Sequence, residues 1–350
     1  MKKRSNISVY LLILIPLLCF HWKNVLVCQQ VKELHDHPAL VPSLKSYESI
    51  EEKNVAIVQF VSNYHIPLFV MNFPKNEEHL FGHVRKAALL LCAPLSDVPK
   101  ILQDIIIPLE WTHVASYSHI HAYTNGTIEE YVTPKGTQVL VQGMHVHLPE
   151  KVLQGHKIEP RCAGRTFQIS YAMFSGAVFS HHILQLPIID RFLYFVKVDA
   201  DLVFTKDVPF DIGQMMIDQG CSIMHSELEA VWSGCEQGNL EALYSFAAST
   251  GAHKPISDSY EWCNQNMKGK NTSFIIYGNF MGYSRSLIQR VRPLASWLYY
   301  EWIPGYFGHR WGDQGPSIAY ACYALDIPDF MNDKQVCDFR SMREDVFVHG

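Results

Sequence analysis

The chain has 350 residues, of which 48% are hydrophobic and 18% are charged. This is an ordinary globular composition, and it excludes an intrinsically disordered chain. The formal net charge is −5, and the only run of basic residues is Lys2-Lys3-Arg4. We therefore expect no nucleic acid among its partners, because nonspecific nucleic-acid binders normally present a strongly basic surface.

The first 28 residues predict targeting to the secretory pathway. The basic run precedes an uninterrupted apolar stretch from Val9 to Phe20, and the segment from Val9 to Cys28 has the ~20 residues that a membrane-spanning helix needs. No small-x-small cleavage site follows. We expect a cytosolic tail over residues 1–8 and a signal anchor over residues 9–28. A cleaved signal peptide, and hence a secreted protein, is the alternative.

The rest of the chain predicts one luminal domain behind a short stem. Residues 29–53 are polar without a sustained hydrophobic period, as in a stem, and residues 54–350 show no break in composition. Glycosylation sequons begin at Asn125 and Asn271. Of the nine cysteines, seven follow Cys28, so at least one of these is unpaired, and the pairing cannot be read from sequence.

The first half of the domain predicts a mixture of strands and helices. Apolar runs predict strands at Val55–Val61, Ile105–Leu109 and Gln138–Gln142. A helix is expected around His83–Leu91, and the dipeptide Asn125-Gly126 predicts a turn between two extended segments.

The second half alternates strands with helices more clearly. The expected elements are a helix over Phe167–Leu186, a strand over Phe192–Val198, a strand over Phe274–Tyr277, a helix over Ser284–Trp302 that Pro293 kinks or splits, and a helix over Ser317–Leu325. Such alternation predicts an α/β fold with a mainly parallel central sheet and helices on both faces.

Two carboxylates, Asp199 and Asp201, directly follow the most apolar strand. Parallel sheets bind ligands beyond the carboxyl ends of their strands, and residues i and i+2 of an extended chain point the same way. Two adjacent carboxylates are costly to ionise without a cation, and oxygen ligands suit Mn²⁺ or Mg²⁺ shared with substrate phosphates. The alternative is that both aspartates merely end the strand in a turn that meets water.

A glycine-rich, aromatic loop over Gly305–Pro316 is the second candidate. Its glycines let the backbone approach a ligand closely, and Tyr306, Phe307 and Trp311 are expected to stack against a sugar face. Asp313 lies just ahead of the predicted helix. The alternative is that Trp311 fills the core and that Asp313 only caps that helix.

Four stretches resemble, in order and spacing, the fungal Golgi alpha-mannosyltransferases: Ser170–Gly176, Tyr194–Asp201, Gly278–Phe280 and Arg310–Pro316. The likeness covers about residues 161–333, is specific at residues 310–313, and is that of a distant relative. Those enzymes are retaining glycosyltransferases, so the resemblance implies a GT-A type nucleotide-diphospho-sugar transferase fold.

The resemblance also implies roles for individual residues. Asp199 and Asp201 stand where the family has its metal motif, and Asp313 where it has its acceptor-side carboxylate. GT-A enzymes often add a late histidine as a metal ligand, which makes His349 the third expected ligand of Mn²⁺ or Mg²⁺. The residues expected to be catalytic or to contact donor and acceptor are Asp313, Asn279, Lys197, Asp199, Arg310, Trp311 and Gly312.

Two positions depart from the family's pattern. Met281 stands where the family's Asn-Phe-Glu motif has its carboxylate, and His309 stands where the family has a glutamate. Methionine can neither attack nor stabilise an oxocarbenium ion by charge. Retention would then proceed by same-face attack assisted by the leaving phosphate.

These patterns predict a metal-dependent hexosyltransferase in the Golgi membrane, with its catalytic domain in the lumen and mannose implied by the resemblance. Its partners would be a GDP- or UDP-hexose donor and a glycan or glycoprotein acceptor. The first alternative is a noncatalytic protein of the same fold that binds a glycan or a partner, as Met281 and His309 suggest. A metal-dependent phosphohydrolase would need further carboxylate ligands, which no compact cluster supplies.

Overall fold

The computed structural model describes residues 45–349 except 85, 120, 155–159, 163–164, 227, 233–237, 252–267, 270–271, 277–278, 309–310, 313, 325–335 and 339–345. The expected cytosolic tail and signal anchor, the sequon at Asn271, and the site residues Arg310 and Asp313 therefore lie outside the described residues. None of the described helices is both long enough and apolar enough to span a membrane.

The strands are β1 (Lys45–Ser46), β2 (Lys53–Phe60), β3 (Ala87–Pro94), β4 (Thr112–His119), β5 (Thr124–Val132), β6 (Gln138–Met144), β7 (Arg161–Cys162), β8 (Arg165–Thr166), β9 (Phe192–Val198), β10 (Leu202–Phe204), β11 (Ile223–His225), β12 (Leu228–Trp232), β13 (Lys268–Gly269), β14 (Thr272–Ile276), β15 (Phe280–Ser284), β16 (Val336–Asp338) and β17 (Phe347–His349). Among the described residues, the main sheet has ten strands in the order β1-β4-β5-β6-β3-β2-β9-β15-β11-β16.

This sheet is mixed, with a parallel centre. Strands β6, β3, β2 and β9 run parallel to one another, whereas β15 pairs antiparallel with β9. The largely buried sequences of β2, β3 and β9, which are rich in apolar residues, explain why they occupy the centre, where both faces are covered. The predicted α/β architecture is therefore confirmed as a mixed, mostly parallel sheet.

The helices are α1 (Ile66–His79), α2 (Val98–Ile101), α3 (Glu150–Leu153), α4 (Ile169–Ala172), α5 (Ile212–Gln219), α6 (Asn239–Thr250), α7 (Arg285–Tyr300) and α8 (Gln314–Ala324). Wide π-type turns continue α2 over Leu102–Ile106 and α4 over Met173–His182, and a third such turn covers Pro304–Gly308. Single 3₁₀ turns cover Tyr47–Ser49, Phe81–His83, Leu95–Asp97, Ile183–Gln185 and Pro187–Arg191.

Helices cover both faces of the sheet, as predicted. On one face Ala56 and Val58 pack with the extension of α4 and with α7 and α8. On the other face Val55 and Ile57 pack with α5, while Leu89 packs with α1 and α2. Alternate residues of one strand thus serve opposite cores, which is the expected result of a side-chain period of two.

Several predicted elements agree with the structure. The strands at Val55–Val61, Gln138–Gln142 and Phe192–Val198 correspond to β2, β6 and β9, and the helix over Phe167–Leu186 corresponds to α4 with its extension. The strand at Phe274–Tyr277 is β14, but it belongs to a separate three-stranded sheet with β12 and β13. The helix after Asp313 is α8.

Two elements of the first half were predicted with the wrong type of secondary structure. The helix predicted around His83–Leu91 is largely strand β3, because pairing with β2 and β6 buries this apolar run on both sides. The strand predicted at Ile105–Leu109 begins in the extension of α2, a helix that has Pro99 in its first turn. Short apolar runs do not distinguish helix from strand by periodicity alone.

Three boundaries also differ. Asn125 and Gly126 lie inside β5 rather than in the turn before it. Pro293 lies within one continuous helix, α7, whose buried apolar face outweighs the single hydrogen bond that proline removes. Lys45–Ser46 pairs with β4, so the folded domain begins before residue 54, within the predicted stem.

A disulfide joins Cys221, two residues after the end of α5, to Cys337 in β16, across 116 residues of sequence. Cys322 is also disulfide-bonded, whereas Cys92 is a buried free thiol on β3. The expectation that at least one of the seven cysteines after Cys28 stays unpaired is met by Cys92.

Candidate functional site

The carboxyl ends of neighbouring strands meet around Asp199. This residue directly follows β9, and its backbone N–H donates to the carbonyl of Asn279, which precedes β15, at 3.0 Å. Gln59, near the end of β2, donates its side-chain N–H to the carbonyl of Asp199 at 3.3 Å. The backbone that carries Asp199 and Asp201 is therefore held from both sides, at the sheet edge where ligands bind in parallel α/β folds.

A buried lysine faces the first aspartate. The Nζ atom of Lys197 lies 2.6 Å from Oδ1 of Asp199 and 4.5 Å from the centre of the Phe179 ring. Lys197 is only 2% exposed, whereas the side chain of Asp199 is 31% exposed. The ammonium group is thus compensated by an ion pair and by a cation–π contact, as a buried charge requires.

His65 is a site residue that the sequence analysis missed. It lies at the start of α1, five residues beyond the end of β2, and its Nδ1 atom is 3.0 Å from the Ser62 hydroxyl. Burial lowers the pKa of His65, and the nearby carboxylates of Asp201 and Asp199 oppose this shift. Its position just after a central parallel strand was the available signal, because such ends share one sheet edge.

Asn279 and Met281 are both buried beside this edge. Asn279 is 3% exposed, and its Oδ1 accepts a hydrogen bond from the Ser226 hydroxyl at 3.4 Å. Met281 is 1% exposed and lies directly opposite Lys197 in the β9–β15 register. The position that carries a carboxylate in the resembling family is therefore an apolar residue next to a buried cation.

Strand β17, near the end of the sequence, pairs with the strand that follows the two aspartates. Strand β10, which begins one residue after Asp201, pairs antiparallel with β17, and Leu202 is opposite His349. This register brings the backbone of His349 to the predicted region. Among the described side chains, no group of three or more His, Cys, Asp or Glu is arranged to hold a metal ion. The side chain of His349 lies outside the described side chains, so its role as a metal ligand stays a prediction.

We call residues Lys197–Asp201 the aspartate end and residues Gly305–Gly312 the tryptophan end. At the tryptophan end, Tyr306, Phe307 and Trp311 are all 0% exposed. A Cβ atom on Gly305 would lie 2.5 Å from the Trp311 ring, so glycine is needed for this packing. The expectation that these three rings stack against a sugar is therefore wrong for this conformation. All three rings fill the core, which is the alternative that the sequence analysis gave for Trp311.

The residue types at the aspartate end suit a hard divalent cation, although the described side chains there are not arranged as a three-ligand site. Asp199 and Asp201 are both partly exposed and lie near one imidazole, and carboxylate oxygens with imidazole suit Mn²⁺. Oδ1 of Asp199 is already engaged by Lys197, so a cation at this position would contact the other oxygen of Asp199.

A separate cleft of about 470 Å³ lies at the opposite edge of the sheet. Its lining includes Lys53, Ala87 and Gln138, which begin β2, β3 and β6. Ligands of parallel sheets bind at the carboxyl ends of the strands, so this cleft is not the candidate site.

Comparison with solved structures identifies the fold. Core-mannan synthase A from Aspergillus fumigatus, in its Mn/GDP form, has a TM-score of 0.54 and 12% identity to this chain, over 88% of this chain and 80% of that one. The mannosyltransferase Ktr4p from S. cerevisiae has a TM-score of 0.53 and 14% identity, over 89% and 74% respectively. No protein-family model and no curated relative matches the sequence. The structural neighbours of the chain are therefore fungal mannosyltransferases, and the predicted resemblance to them is confirmed at the level of the fold.

Proposed function

We propose that this protein is a metal-dependent glycosyltransferase that transfers a hexose, with mannose as the first candidate, from a nucleotide sugar to a glycan. The observation that carries the proposal is the aspartate end itself. Asp199 and Asp201 follow a central parallel strand, in a fold shared with fungal mannosyltransferases, and the Aspergillus neighbour is a Mn/GDP form.

Asp201 and the free oxygen of Asp199 would hold the cation, with His65 and His349 as further candidate ligands. A bound Mn²⁺ would supply positive charge opposite the diphosphate leaving group. The Lys197 ammonium fixes the orientation of Asp199 through their 2.6 Å contact. Buried Asn279 fixes the same backbone through its carbonyl, so its contribution to catalysis is to position Asp199.

The transfer itself requires a group on the acceptor side. We assign Asp313 to orient the acceptor hydroxyl, with Arg310 and Gly312 beside the acceptor. The acceptor oxygen bonds to the anomeric carbon as the bond to the phosphate oxygen breaks, and the hydroxyl proton passes to that phosphate on the same face. This route to retention suits a site in which Met281 offers no carboxylate.

The test is a titration of the full-length chain in detergent with UDP- and GDP-sugars, with and without Mn²⁺, followed by thermal shift and by donor hydrolysis. Stabilisation by one nucleotide sugar only in the presence of Mn²⁺, together with its slow hydrolysis, would support the proposal. Hydrolysis that releases inorganic phosphate without sugar transfer would instead indicate a phosphohydrolase.

A second candidate function is a noncatalytic protein that binds glycans or a partner. The observation that favours it is Met281, which is 1% exposed where the resembling family has a carboxylate. Under this function nucleotide sugars would neither stabilise the protein nor be hydrolysed. A glycan array probed with the same preparation would then give binding without any donor.

We further propose that the folded domain lies in the Golgi lumen behind the predicted anchor. The Cys221–Cys337 disulfide supports this location, because such bonds form in oxidising compartments. A tag at the carboxyl end should be protected from protease in sealed vesicles, and Asn125→Gln should lower the apparent mass. Degradation of the tag in intact vesicles would contradict the topology.

A further inference from the structure

The wide-turn helix Met173–His182 contacts both ends of the candidate site. At one end the ring of Phe179 lies under the ammonium group of Lys197, 4.5 Å from its centre. Three residues earlier, Gly176 lies against the backbone of Trp311 and Gly312. One short helix thus contacts both the pair that orients Asp199 and the chain that leads into Asp313.

The contact at Gly176 is too close for any side chain. A Cβ atom built on Gly176 would lie 2.4 Å from the Trp311 carbonyl oxygen and 3.3 Å from the carbonyl carbon of Gly312, and real Cβ contacts are essentially never under 3.0 Å. Both neighbours are backbone atoms, which cannot rotate away as the tip of a flexible side chain can. Any larger residue must displace the helix or the loop.

The same turn is fastened by hydrogen bonds. The Ser180 hydroxyl donates to the carbonyl of Gly176 at 2.8 Å and lies 2.5 Å from the hydroxyl of Tyr306. Ser180 therefore connects the turn that contains Gly176 to the start of the tryptophan end. Wide π-type turns are uncommon in helices and frequently occur at functional sites.

We propose that Gly176 is a positioning residue for the acceptor half of the site, because its missing side chain sets the path of the backbone at Trp311 and Gly312, the two residues before Asp313. This proposal rests on the proposed glycosyl transfer. Phe179 is the corresponding positioning residue for the donor half, through Lys197. The helix holds the two halves at a fixed separation, and each half depends on a different residue of it.

The test compares Gly176→Ala with Gly213→Ala. Gly213 lies on α5, and a Cβ there would also be 2.4 Å from a neighbour, Cγ2 of Val55, but away from the loop. Gly176→Ala should lower kcat/KM for the acceptor by about tenfold to a hundredfold, as misplacement by about 1 Å does, with donor KM changed by less than about threefold. Gly213→Ala should leave acceptor kcat/KM within about threefold of wild type.

Two milder variants keep the test decisive if Gly176→Ala folds poorly. Ser180→Ala should shift acceptor kinetics in the same direction by a smaller factor. Phe179→Leu should raise donor KM and leave acceptor KM near the wild-type value. Equal losses for donor and acceptor in all these variants would overturn the inference, since they would indicate a purely structural helix.

Hydrogen–deuterium exchange separates this inference from the proposed function. In Gly176→Ala, peptides that cover residues 305–316 should exchange faster than in wild type, whereas Gly213→Ala should leave them unchanged. Faster exchange in Gly176→Ala, together with no transferase activity in the wild-type protein, would show that Gly176 positions this loop but would refute the transferase and, with it, the acceptor role. Unchanged exchange together with unchanged acceptor kinetics would refute the positioning role alone.

Discussion

The aspartate end and the tryptophan end differ in how their conspicuous residues are used. Asp199 and Asp201 are partly exposed at the tip of a central strand, and a buried lysine compensates the first of them. Trp311, by contrast, has no exposed surface and packs against Gly305 and Tyr306. Both ends carry residue types that are typical of sugar-nucleotide sites, yet the described aromatic side chains of the tryptophan end are buried, whereas Asp199 and Asp201 are partly exposed. Exposure, rather than residue type, therefore decides which of these residues remain candidates for ligand binding.

Replacing Trp311 by alanine should give the largest effect, and the effect should be on stability. Removing a fully buried indole should lower the free energy of unfolding by about 3–5 kcal/mol, measured by urea denaturation. Tyr244→Ala is the control, since Tyr244 is 53% exposed and should cost less than about 1 kcal/mol. A variant with intact stability but lost acceptor binding would restore the stacking role for Trp311.

Asp201→Ala should show the opposite behaviour. Loss of a partly exposed metal ligand should reduce turnover by about 10²–10³-fold and change the free energy of unfolding by less than about 1 kcal/mol. The measurement is turnover at saturating donor and Mn²⁺, beside urea denaturation. Asp218→Ala, on an exposed position of α5, is the matched control and should retain wild-type turnover. Unchanged turnover in Asp201→Ala would exclude this residue as a metal ligand.

Mild acid should weaken the core behind the tryptophan end. His181 and His182 are buried among His147, Tyr123, Tyr299 and Tyr300, and Tyr299 in turn contacts Tyr306 and Phe307. Burial is the main cause that lowers the pKa of His182 to about 4, and it holds the pKa of His181 well below its usual range.

The sign of the effect follows from these lowered pKa values. An unfolded histidine titrates near pH 6.5, so between pH 6.5 and 4 the unfolded chain binds protons that the folded chain does not. The free energy of unfolding should be at its full value above about pH 6.5, and protonation linked to His182 should lower it by on the order of 3 kcal/mol as the pH drops to 4. Urea denaturation at several pH values in this range should show that the free energy of unfolding depends less steeply on pH in His182→Gln than in wild type. An equal pH dependence of the free energy of unfolding in both proteins would contradict the prediction.

Lys197→Met should lower the free energy of unfolding by less than Trp311→Ala does. Its ion-pair partner Asp199 is 31% exposed, so water can replace part of the lost interaction, and we expect a cost of about 1–3 kcal/mol. Lys197→Arg retains the charge and should cost less. Donor affinity, measured by nucleotide-sugar titration, should fall in Lys197→Met because Asp199 loses its orientation. Unchanged donor affinity would assign Lys197 to stability alone.

Local sequence was sufficient for much of the aspartate end. The apolar run over Phe192–Val198 predicted β9 with its observed bounds, and the two aspartates after it predicted a site at the strand's carboxyl end. The helical extent of α4 and the position of α8 were also predictable from period and proline placement. His65 was not found: it follows a predicted strand, but only the tertiary structure shows that α1 begins near Asp199 and Asp201.

Local sequence failed where pairing partners decided the conformation. The run at Ala87–Leu91 reads equally well as a helix or a strand, and β2 and β6 on its two sides make it a strand. At Ile105 the error is in the other direction: its β-branched neighbours favour a strand, but the structure has Leu102–Ile106 as the wide-turn extension of α2. Propensity is a weak preference that tertiary packing overrides.

The sequence by itself determined the α/β class, the central strand that ends just before Asp199, and the chemistry offered there by two carboxylates. The tertiary structure alone decided that Trp311 belongs to the core, that Lys197 compensates Asp199, and that Gly176 lies against the loop before Asp313. The reason is physical: periodicity and charge are properties of neighbouring residues, whereas burial and close contact depend on which distant segments pack together.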